Sequence, residues 1–276
     1  MAKVLCMSSY VASGHIGLSA IVPALQGLGH ETIALPTVVL SNHPGHSRFF
    51  KQDVMPANFS GMADALFQSG WLTGVDAVLT GYMPTASHVT AAAAAIAHVR
   101  SANLAAIIMC DPVLGDDPGG LYIAAEAAAA VRDELVPIAD VITPNAFELS
   151  WLSGLPVSNA ADAMAAAVKL ACKTTLATSV PMQETSLGNV LINPAGRYVT
   201  HVARLPSVPH GTGDFMAALY LGHLLDDHSP HDALRLATAG VEAVLQRSKG
   251  RDELMLIPNQ DIWQDILLEA IDRDIS

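Results

Sequence analysis

Positively charged side chains are scarce in this sequence. It has 14 Lys and Arg against 26 Asp and Glu, which gives a formal net charge of −12. A nucleic-acid-binding protein needs a basic face that neutralises phosphates. The shortage of Lys and Arg therefore argues against nucleic acid as a partner.

Long apolar runs are also missing, although 51% of the residues are hydrophobic. No segment runs for ~18 apolar residues without a polar or charged break, so no membrane-spanning helix is expected. The Ala-rich runs at residues 91–95 and 124–130 predict helices instead. The start of the chain, MAKVLCMSSYV, lacks the pattern of a signal peptide. We expect a cytoplasmic protein that does not bind membranes.

Several signatures of metal and nucleotide sites are absent. The chain has only 3 cysteines, far apart and without a C-x-x-C pair, so neither a zinc motif nor a redox motif is indicated. Buried free thiols in a reducing compartment are expected. There is no G-x-x-x-x-G-K-[ST] motif and no G-x-G-x-x-G after the first strand. These two absences exclude a P-loop enzyme and weaken a dinucleotide-binding interpretation.

Segments typical of strands alternate with segments typical of helices. We predict strands at residues 3–7, 31–40 with a break at Pro36, 77–80, 105–110, 141–143 and 174–178, and a hairpin of 189–192 with 197–202. We predict helices at residues 18–28, 58–72, 85–99, 124–135, 147–152, 162–171, 215–225, 232–246 and 262–271. This alternation favours parallel βαβ units in one α/β domain spanning residues 1–276.

Polar loops follow the predicted strands, and in parallel sheets ligands bind at the carboxyl ends of strands. The loops are SSYVASGH, SNHPGH, TGYMP, CDPVLGDD, TPNAFE and ATS, together with the turn HGTGD. Asp, Asn and Ser are also the ordinary residues of turns. Taken singly, each loop is explained as a connection; taken together, they indicate a site.

Three of these loop residues have two interpretations. Asp111 follows a buried strand directly, as a turn residue or as a carboxylate beside a ligand. Asn145 and Glu148 have the spacing of a capping box at a helix start. The second interpretation makes them oxygen ligands for Mg²⁺, acting mostly through water. The residues around Asp116 read as a mobile loop.

The turn HGTGD, residues 210–214, also has two interpretations. Structurally, its glycines supply unusual backbone angles, and Asp214 is suited to be the N-cap of an apolar helix. Chemically, the amides of Gly211, Thr212 and Gly213 at a helix start could hold a phosphate. A carboxylate so close to a phosphate is most useful as the acceptor of a proton from an attacking hydroxyl.

These loops, in this order, resemble those of the pyridoxal kinases of the ribokinase superfamily, over nearly the whole chain. The motifs that carry the resemblance are Gly14 with Gly17, SNH at 41–43, LTGY at 79–82, DPVLGD at 111–116, VITPNAFE at 141–148, TS at 178–179 and GTGD at 211–214. The resemblance implies a three-layer α/β/α fold with a central, mostly parallel sheet. It also implies transfer of the ATP γ-phosphoryl group to the 5′-hydroxymethyl group of pyridoxal, and a homodimer.

The resemblance also implies roles for individual residues. Asp214 would be the catalytic base, and Gly211, Thr212 and Gly213 the anion hole for the γ-phosphate. ATP would contact Asp111, Asn145, Thr178, Ser179 and Thr212. Mg²⁺ would lie near Asp111, Asp116 and Glu148, with K⁺ or Na⁺ as a further cation. The vitamer would contact Ser9, His43, Tyr82 and Asp214.

The departures from the family pattern all lie on the vitamer side. Pro44 stands where the family usually has Thr, and proline offers neither a hydroxyl nor an N–H. His46 stands where Tyr is common, and Tyr10 where His is common. Two alternatives therefore stay open: a related kinase for hydroxymethylpyrimidine or a sugar, and a non-catalytic vitamer-binding protein. The intact Asp214 argues against the second, because a carrier needs no base.

Overall fold

A computed structural model describes residues 1–205, 207–266 and 268 of the chain. The strands are β1 (Lys3–Val11), β2 (Glu31–Leu40), β3 (Lys51–Asp53), β4 (Ala77–Thr80), β5 (Ile107–Cys110), β6 (Gly115–Asp116), β7 (Gly120–Leu121), β8 (Val141–Ile142), β9 (Thr174–Gln183), β10 (Ser186–Asn193) and β11 (Gly196–Ala203). The helices are α1 (Leu18–Gly27), α2 (Pro56–Gln68), α3 (Ala86–Ala102), α4 (Ala125–Ala130), α5 (Ala146–Ser153), α6 (Ala160–Leu170), α7 (Thr212–Leu225), α8 (Pro230–Arg247) and α9 (Gln260–Gln264).

Nine strands form one sheet in the order β11-β10-β9-β8-β5-β4-β1-β2-β3. The strands from β9 to β2 pair in parallel, whereas β10, β11 and β3 pair antiparallel at the two margins. Because parallel strands point the same way, the loops after β1, β2, β4, β5 and β8 meet at one edge of the sheet. Thr178 and Ser179, predicted to form a loop after a strand, lie inside β9, because pairing with β10 continues that strand to Gln183. The predicted α/β class with a mostly parallel sheet is confirmed.

The sheet lies between two layers of helices because successive side chains of a strand point to opposite faces. On β1, Leu5 and Met7 pack with α2, α3 and α4 on one face. Val4 and Cys6 of the same strand pack with α1, α7 and α8 on the other face. The result is the three-layer α/β/α arrangement that the resemblance implied. Within the described residues, no helix has the length and apolar character needed to cross a membrane.

Several predicted boundaries were wrong. Strand β1 continues to Val11, through residues predicted as loop, and β2 passes through Pro36 without the predicted break. A proline is tolerated there because β3 pairs with β2 only from Val38 onward, so one side of β2 is open at Pro36. The short strands β3, β6 and β7 were missed, and the β6–β7 hairpin occupies the segment read as a mobile loop.

The last predicted helix, residues 262–271, is only partly described. Helix α9 spans Gln260–Gln264, and residues 267 and 269–271 of the prediction lie outside the described residues. Cys6 and Cys110 are buried free thiols as predicted, whereas Cys172 is only partly buried.

Candidate active site

The start of α7 contains the HGTGD turn. Gly211 is the N-cap residue, with a φ of 90° that favours glycine, and the helix begins at Thr212. The prediction that Asp214 is the N-cap was therefore wrong: it is the third helical residue, because glycine at 211 lets the chain enter the helix earlier. The first amides of a helix have no partner within the helix, so those of Thr212 and Gly213 are free to bind an anion.

Gly211 has no room for a side chain. A Cβ at this position would overlap the carbonyl oxygen of His15, which belongs to the loop between β1 and α1. The hydroxyl of Thr212 donates to the carbonyl of Pro209 over 2.8 Å and closes the turn. The loop after β1 and the start of α7 are thus in direct contact.

Asp214 lies where these two loops meet. Burial raises the pKa of its carboxyl to about 6, and a hydrogen bond from the Gly17 backbone N–H opposes that rise. The carboxylate is also close enough to Asp111 to raise the pKa of the Asp111 carboxyl. A base with a pKa near 6 is ionised at neutral pH and still accepts a proton readily.

Asp111 follows β5 and is 6% exposed. Burial raises its pKa well above the ordinary value, and the neighbouring Glu148 and Asp214 carboxylates raise it further. The Thr143 hydroxyl donates to the Asp111 carboxylate over 3.0 Å, which partly offsets these effects. Three carboxyl groups, one from the loop after β5 and two from the first turns of α5 and α7, therefore lie close together at the carboxyl edge of the sheet.

Asn145 and Glu148 form the predicted capping box at the start of α5. The Asn145 Oδ1 atom accepts from the Glu148 N–H over 2.9 Å, and the Glu148 Oε2 atom accepts from the Asn145 N–H over 2.8 Å. The Glu148 Oε1 atom also accepts from the Leu114 N–H over 2.8 Å, so it anchors the loop after β5. Burial is the main reason that the pKa of Glu148 is raised to about 7.

Asp116 lies apart from this cluster. It is exposed, on the β6–β7 hairpin, and its carboxylate interacts with the Tyr122 hydroxyl. It is near enough to Glu148 to raise the pKa of the Glu148 carboxyl. Within the described part of the chain, no group of three or more His, Cys, Asp or Glu is arranged to hold a metal ion directly.

A cavity of about 210 Å³ opens beside the start of α7. Its lining includes Thr178, Ser179, Thr212 and Gly213 together with apolar side chains of β10, β11 and α8. Thr178 is held by a hydrogen bond from its N–H to the Pro144 carbonyl over 2.9 Å. The structure thus brings four of the predicted phosphate and nucleotide residues to one cavity.

The sequence analysis missed four polar residues of this cavity: Asn189, Thr238, Glu242 and Gln246. Asn189 accepts from the Ser179 N–H over 3.4 Å and donates to Thr238 over 3.2 Å, so it supports the cavity wall. Burial raises the pKa of the half-buried Glu242 carboxyl. Neither β10 nor α8 carries a motif, so no sequence signal pointed to these residues.

Besides Asp214, the predicted vitamer residues lie on β1 and in the loops after β2 and β4. Ser9 is 7% exposed, and its side chain and carbonyl leave no room for a Cβ at Gly17. Tyr82 packs on the small apolar cluster of Val11, Val38 and Leu40, and burial raises the pKa of its phenol. Ser9 therefore lies next to Gly17, whose N–H bonds Asp214, and Tyr82 packs on side chains of β1 and β2.

His43 stacks on His210 with ring centroids 3.6 Å apart. Burial lowers the pKa of His43 to about 4, and the neighbouring His210 and His46 contribute, so the His43 ring is neutral at pH 7. His210 directly precedes Gly211. The loop after β2 is thus in contact with the anion-binding turn.

Comparison with known proteins gave the same family in sequence and in structure. The profile of the phosphomethylpyrimidine kinase family matches residues 15–254. A pyridoxal kinase of Corynebacterium diphtheriae is 32% identical over 94% of both chains, and one of Granulibacter bethesdensis is 38% identical over 89% of this chain and 90% of its own. A structure of Leishmania donovani pyridoxal kinase in complex with ADP and pyridoxamine superposes with a TM-score of 0.88 at 32% identity, covering 95% of each chain.

Proposed function

The chain belongs to the pyridoxal kinase family, and we propose that it transfers the γ-phosphoryl group of ATP to the 5′-hydroxymethyl group of pyridoxal, with Asp214 as the general base. One observation carries the assignment of the base. The Asp214 carboxyl lies in the first turn of α7, beside the free amides of Thr212 and Gly213, and its pKa is raised to about 6. A proton acceptor and an anion site are therefore adjacent.

The chain's own residues account for the transfer. Asp214 takes the proton of the vitamer hydroxyl while the hydroxyl oxygen forms a bond to the γ-phosphorus. The bond between that phosphorus and the β,γ-bridging oxygen breaks, and ADP is released. The amides of Gly211, Thr212 and Gly213 and the positive end of the α7 dipole stabilise the negative charge of the transferring group. Pyridoxine and pyridoxamine carry the same hydroxymethyl group and are further candidate acceptors.

ATP is the co-substrate, and the cavity beside α7 is the candidate site for its nucleoside. Thr178, Ser179 and Thr212 would contact the phosphates from one end of this cavity, and Asn145, next to Thr178 in the sheet, would lie with them. The apolar remainder suits a nucleobase.

The acidic cluster fits Mg²⁺ as a proposed partner of ATP. Its donors are carboxylate oxygens, which Mg²⁺ prefers. Besides burial, repulsion by Glu148 and Asp214 raises the pKa of Asp111, and a divalent cation would offset that repulsion. Both Glu148 oxygens already accept backbone N–H groups, so Glu148 would act through water. When bound, the ion would neutralise phosphate charge. Asp116 would approach it, or a K⁺ or Na⁺ ion, from the β6–β7 hairpin.

Ser9, His43 and Tyr82 are the proposed vitamer contacts. Ser9 adjoins Gly17, whose N–H bonds Asp214, and His43 stacks on His210, which directly precedes the anion-binding turn. Pro44 offers no hydrogen bond where the family usually has a hydroxyl. We expect weaker discrimination among acceptors as a result.

A cytoplasmic homodimer is the proposed form of the protein. The exposed side chains of Phe49, Phe50 and Met55 flank β3, the strand at one margin of the sheet. Apolar side chains beside an open strand edge are typical of an interface. Light scattering in solution tests this: a mass of one chain would contradict the dimer.

The function is tested by ADP release with MgATP and, separately, pyridoxal, pyridoxine, pyridoxamine and hydroxymethylpyrimidine. We expect turnover with pyridoxal. Turnover with hydroxymethylpyrimidine alone would keep the mechanism and change the substrate, in line with the description of the matching family profile. ATP binding without turnover on any acceptor would leave the vitamer-binding protein as the better interpretation.

A further inference from the structure

Glu253 lies outside every motif described above, in the segment that follows α8. Its neighbours Leu254 and Leu256 are buried in the core shared with α1 and α7, at 1% and 0% exposure. The Met255 N–H donates to the Ser248 hydroxyl over 3.0 Å, which fixes this segment further. The Glu253 carboxylate thus projects from a rigid support.

The Glu253 carboxylate holds the loop after β1. Its Oε2 atom accepts from the His15 backbone N–H over 3.2 Å. Gly14, with a φ of 100°, brings its backbone so close that a Cβ would overlap the carboxylate. Burial lowers the pKa of the His15 ring, and the nearby Glu253 carboxylate and Leu254 backbone oppose that lowering. The main chain of His15 is therefore tied to this segment, and the His15 ring lies beside it.

The same carboxylate reaches the loop after β2. Its Oε1 atom lies 3.6 Å from the Nε2 atom of His46. One side chain therefore touches two loops on the proposed vitamer side of the site, residues 14–17 and residues 41–48. Because both partners are more than one-third exposed, this ion pair is the weaker of the two attachments.

Both loops also contact the turn at the start of α7. The loop of residues 14–17 contacts Gly211 through the His15 carbonyl and Asp214 through the Gly17 N–H. The loop of residues 41–48 contacts the same turn through the stack of His43 on His210. Glu253 joins the two loops from the segment that follows α8.

We propose that Glu253 is a positioning residue: by holding Gly14, His15 and His46 on one carboxylate, it fixes the vitamer loops and, through Gly17, the orientation of Asp214. This role rests on the proposed function, since it assigns the two loops to the acceptor. The ATP cavity is lined from residue 178 onward and includes neither loop. Glu253 should therefore affect the acceptor and not the nucleotide.

The test compares Glu253→Ala and Glu253→Gln with Asp252→Ala, an exposed neighbour, as the matched control. For Glu253→Ala we expect the KM for pyridoxal to rise about 10-fold, as for a lost charge-assisted hydrogen bond, with kcat lowered and the KM for ATP unchanged. Glu253→Gln keeps an acceptor for the His15 N–H and should recover most of the loss. A parent-like KM for pyridoxal in Glu253→Ala, or equal rises in both KM values, would overturn the proposal.

Amide hydrogen exchange separates this proposal from the proposed function. We expect residues 13–17 and 41–48 to exchange faster in Glu253→Ala while α7 keeps its protection, whether or not the parent phosphorylates pyridoxal. If Glu253→Ala does not fold, the exchange is measured on Glu253→Gln. Loss of the carboxylate charge beside His46 should speed the exchange of residues 41–48 and leave the His15 amide protected. Unchanged exchange in both loops would refute the role of Glu253.

Discussion

At the scale of single residues, the raised pKa of Asp214 makes its carboxylate a better base but lowers the stability of the folded protein when the group is ionised. Ionising this carboxyl in the folded protein is costly because it is shielded from water. Replacing Asp214 by Asn removes the base, so we expect kcat to fall by about 10²–10⁴-fold while the fold is kept. The measurement is steady-state ADP release together with a circular dichroism spectrum. Parent-like turnover in the variant would remove Asp214 from the mechanism.

The stability of the same variant tests the raised pKa of Asp214 independently of activity. The unfolded chain loses this proton near pH 3.8, whereas the folded chain keeps it to about pH 6. Between these values the folded state binds more protons, so raising the pH through this window lowers the stability of the parent. Asn removes that effect. We expect the Tm of Asp214→Asn to equal that of the parent near pH 3.8 and to exceed it above pH 6, as measured by thermal melts.

The pH dependence of the rate follows from the same group. A general base works only in its ionised form, so kcat/KM should fall as the pH drops through about 6, the pKa of Asp214. An unperturbed aspartate would give this limb about two units lower. A profile of kcat/KM with pyridoxal from pH 4.5 to 8 measures it, and a rate that stays flat down to pH 5 would contradict the assignment.

The motif residues were predictable, and their supports were not. Asp111, Asn145 and Glu148 follow strand ends, so the rule for parallel sheets places them at one edge of the sheet. Gly17 and Glu253 act on this edge through contacts that are distant in sequence: Glu253 lies 238 residues from His15. No periodicity or local motif encodes such a contact, so the sequence analysis missed both roles.

At the scale of elements, the start of α7 depends on one of its two glycines much more than on the other. Gly211 has a positive φ and no space for a Cβ, whereas a Cβ at Gly213 meets nothing within 4 Å. We expect Gly211→Ala to lower Tm and abolish turnover, because the overlap with His15 must displace the loop of residues 14–17. Gly213→Ala is the matched control and should keep or raise the parent Tm, since Ala favours a helix more than Gly does. Equal Tm values in both variants would contradict this account.

Element boundaries were the less predictable part of the fold. Helix α7 starts earlier than its apolar pattern, because Thr212 and Gly213 are polar or small and only the positive φ of Gly211 sets the start. Strand β2 passes Pro36 because pairing along β1 outweighs one missing N–H. The strands β6 and β7 have two residues each and depend on pairing with each other, which no pattern of period two can indicate.

At the scale of the whole molecule, alternation of strands and helices was enough for the α/β class, whereas the two helix layers were implied by the resemblance to a known family. The antiparallel margins of the sheet were only partly foreseen, since β3 follows a polar loop and carries no apolar alternation. The single domain over residues 1–276 stays a prediction. One cooperative calorimetric transition would support it, and two separable transitions would contradict it.

Nucleotide binding should stabilise the whole protein. Burial and the neighbouring Glu148 and Asp214 carboxylates raise the pKa of Asp111, and a magnesium–nucleotide complex would relieve the repulsion on Asp111 as well as fill the cavity. At a concentration of 100 times Kd, a ligand stabilises the folded state by about 2.7 kcal/mol. We expect MgATP to raise Tm, and the rise to be smaller in Asp111→Asn. Identical shifts in the parent and the variant would show that Asp111 does not contribute.

The crowding of negative charge at one sheet edge therefore has a consequence for the protein's lifetime in the cell. Degradation draws on the small unfolded population, and a ligand that binds only the folded state shrinks that population. Copies of this protein should be cleared fastest when the cell is short of nucleotide. The charges that favour binding of the magnesium–nucleotide complex would then also make the amount of enzyme depend on the concentration of ATP in the cell.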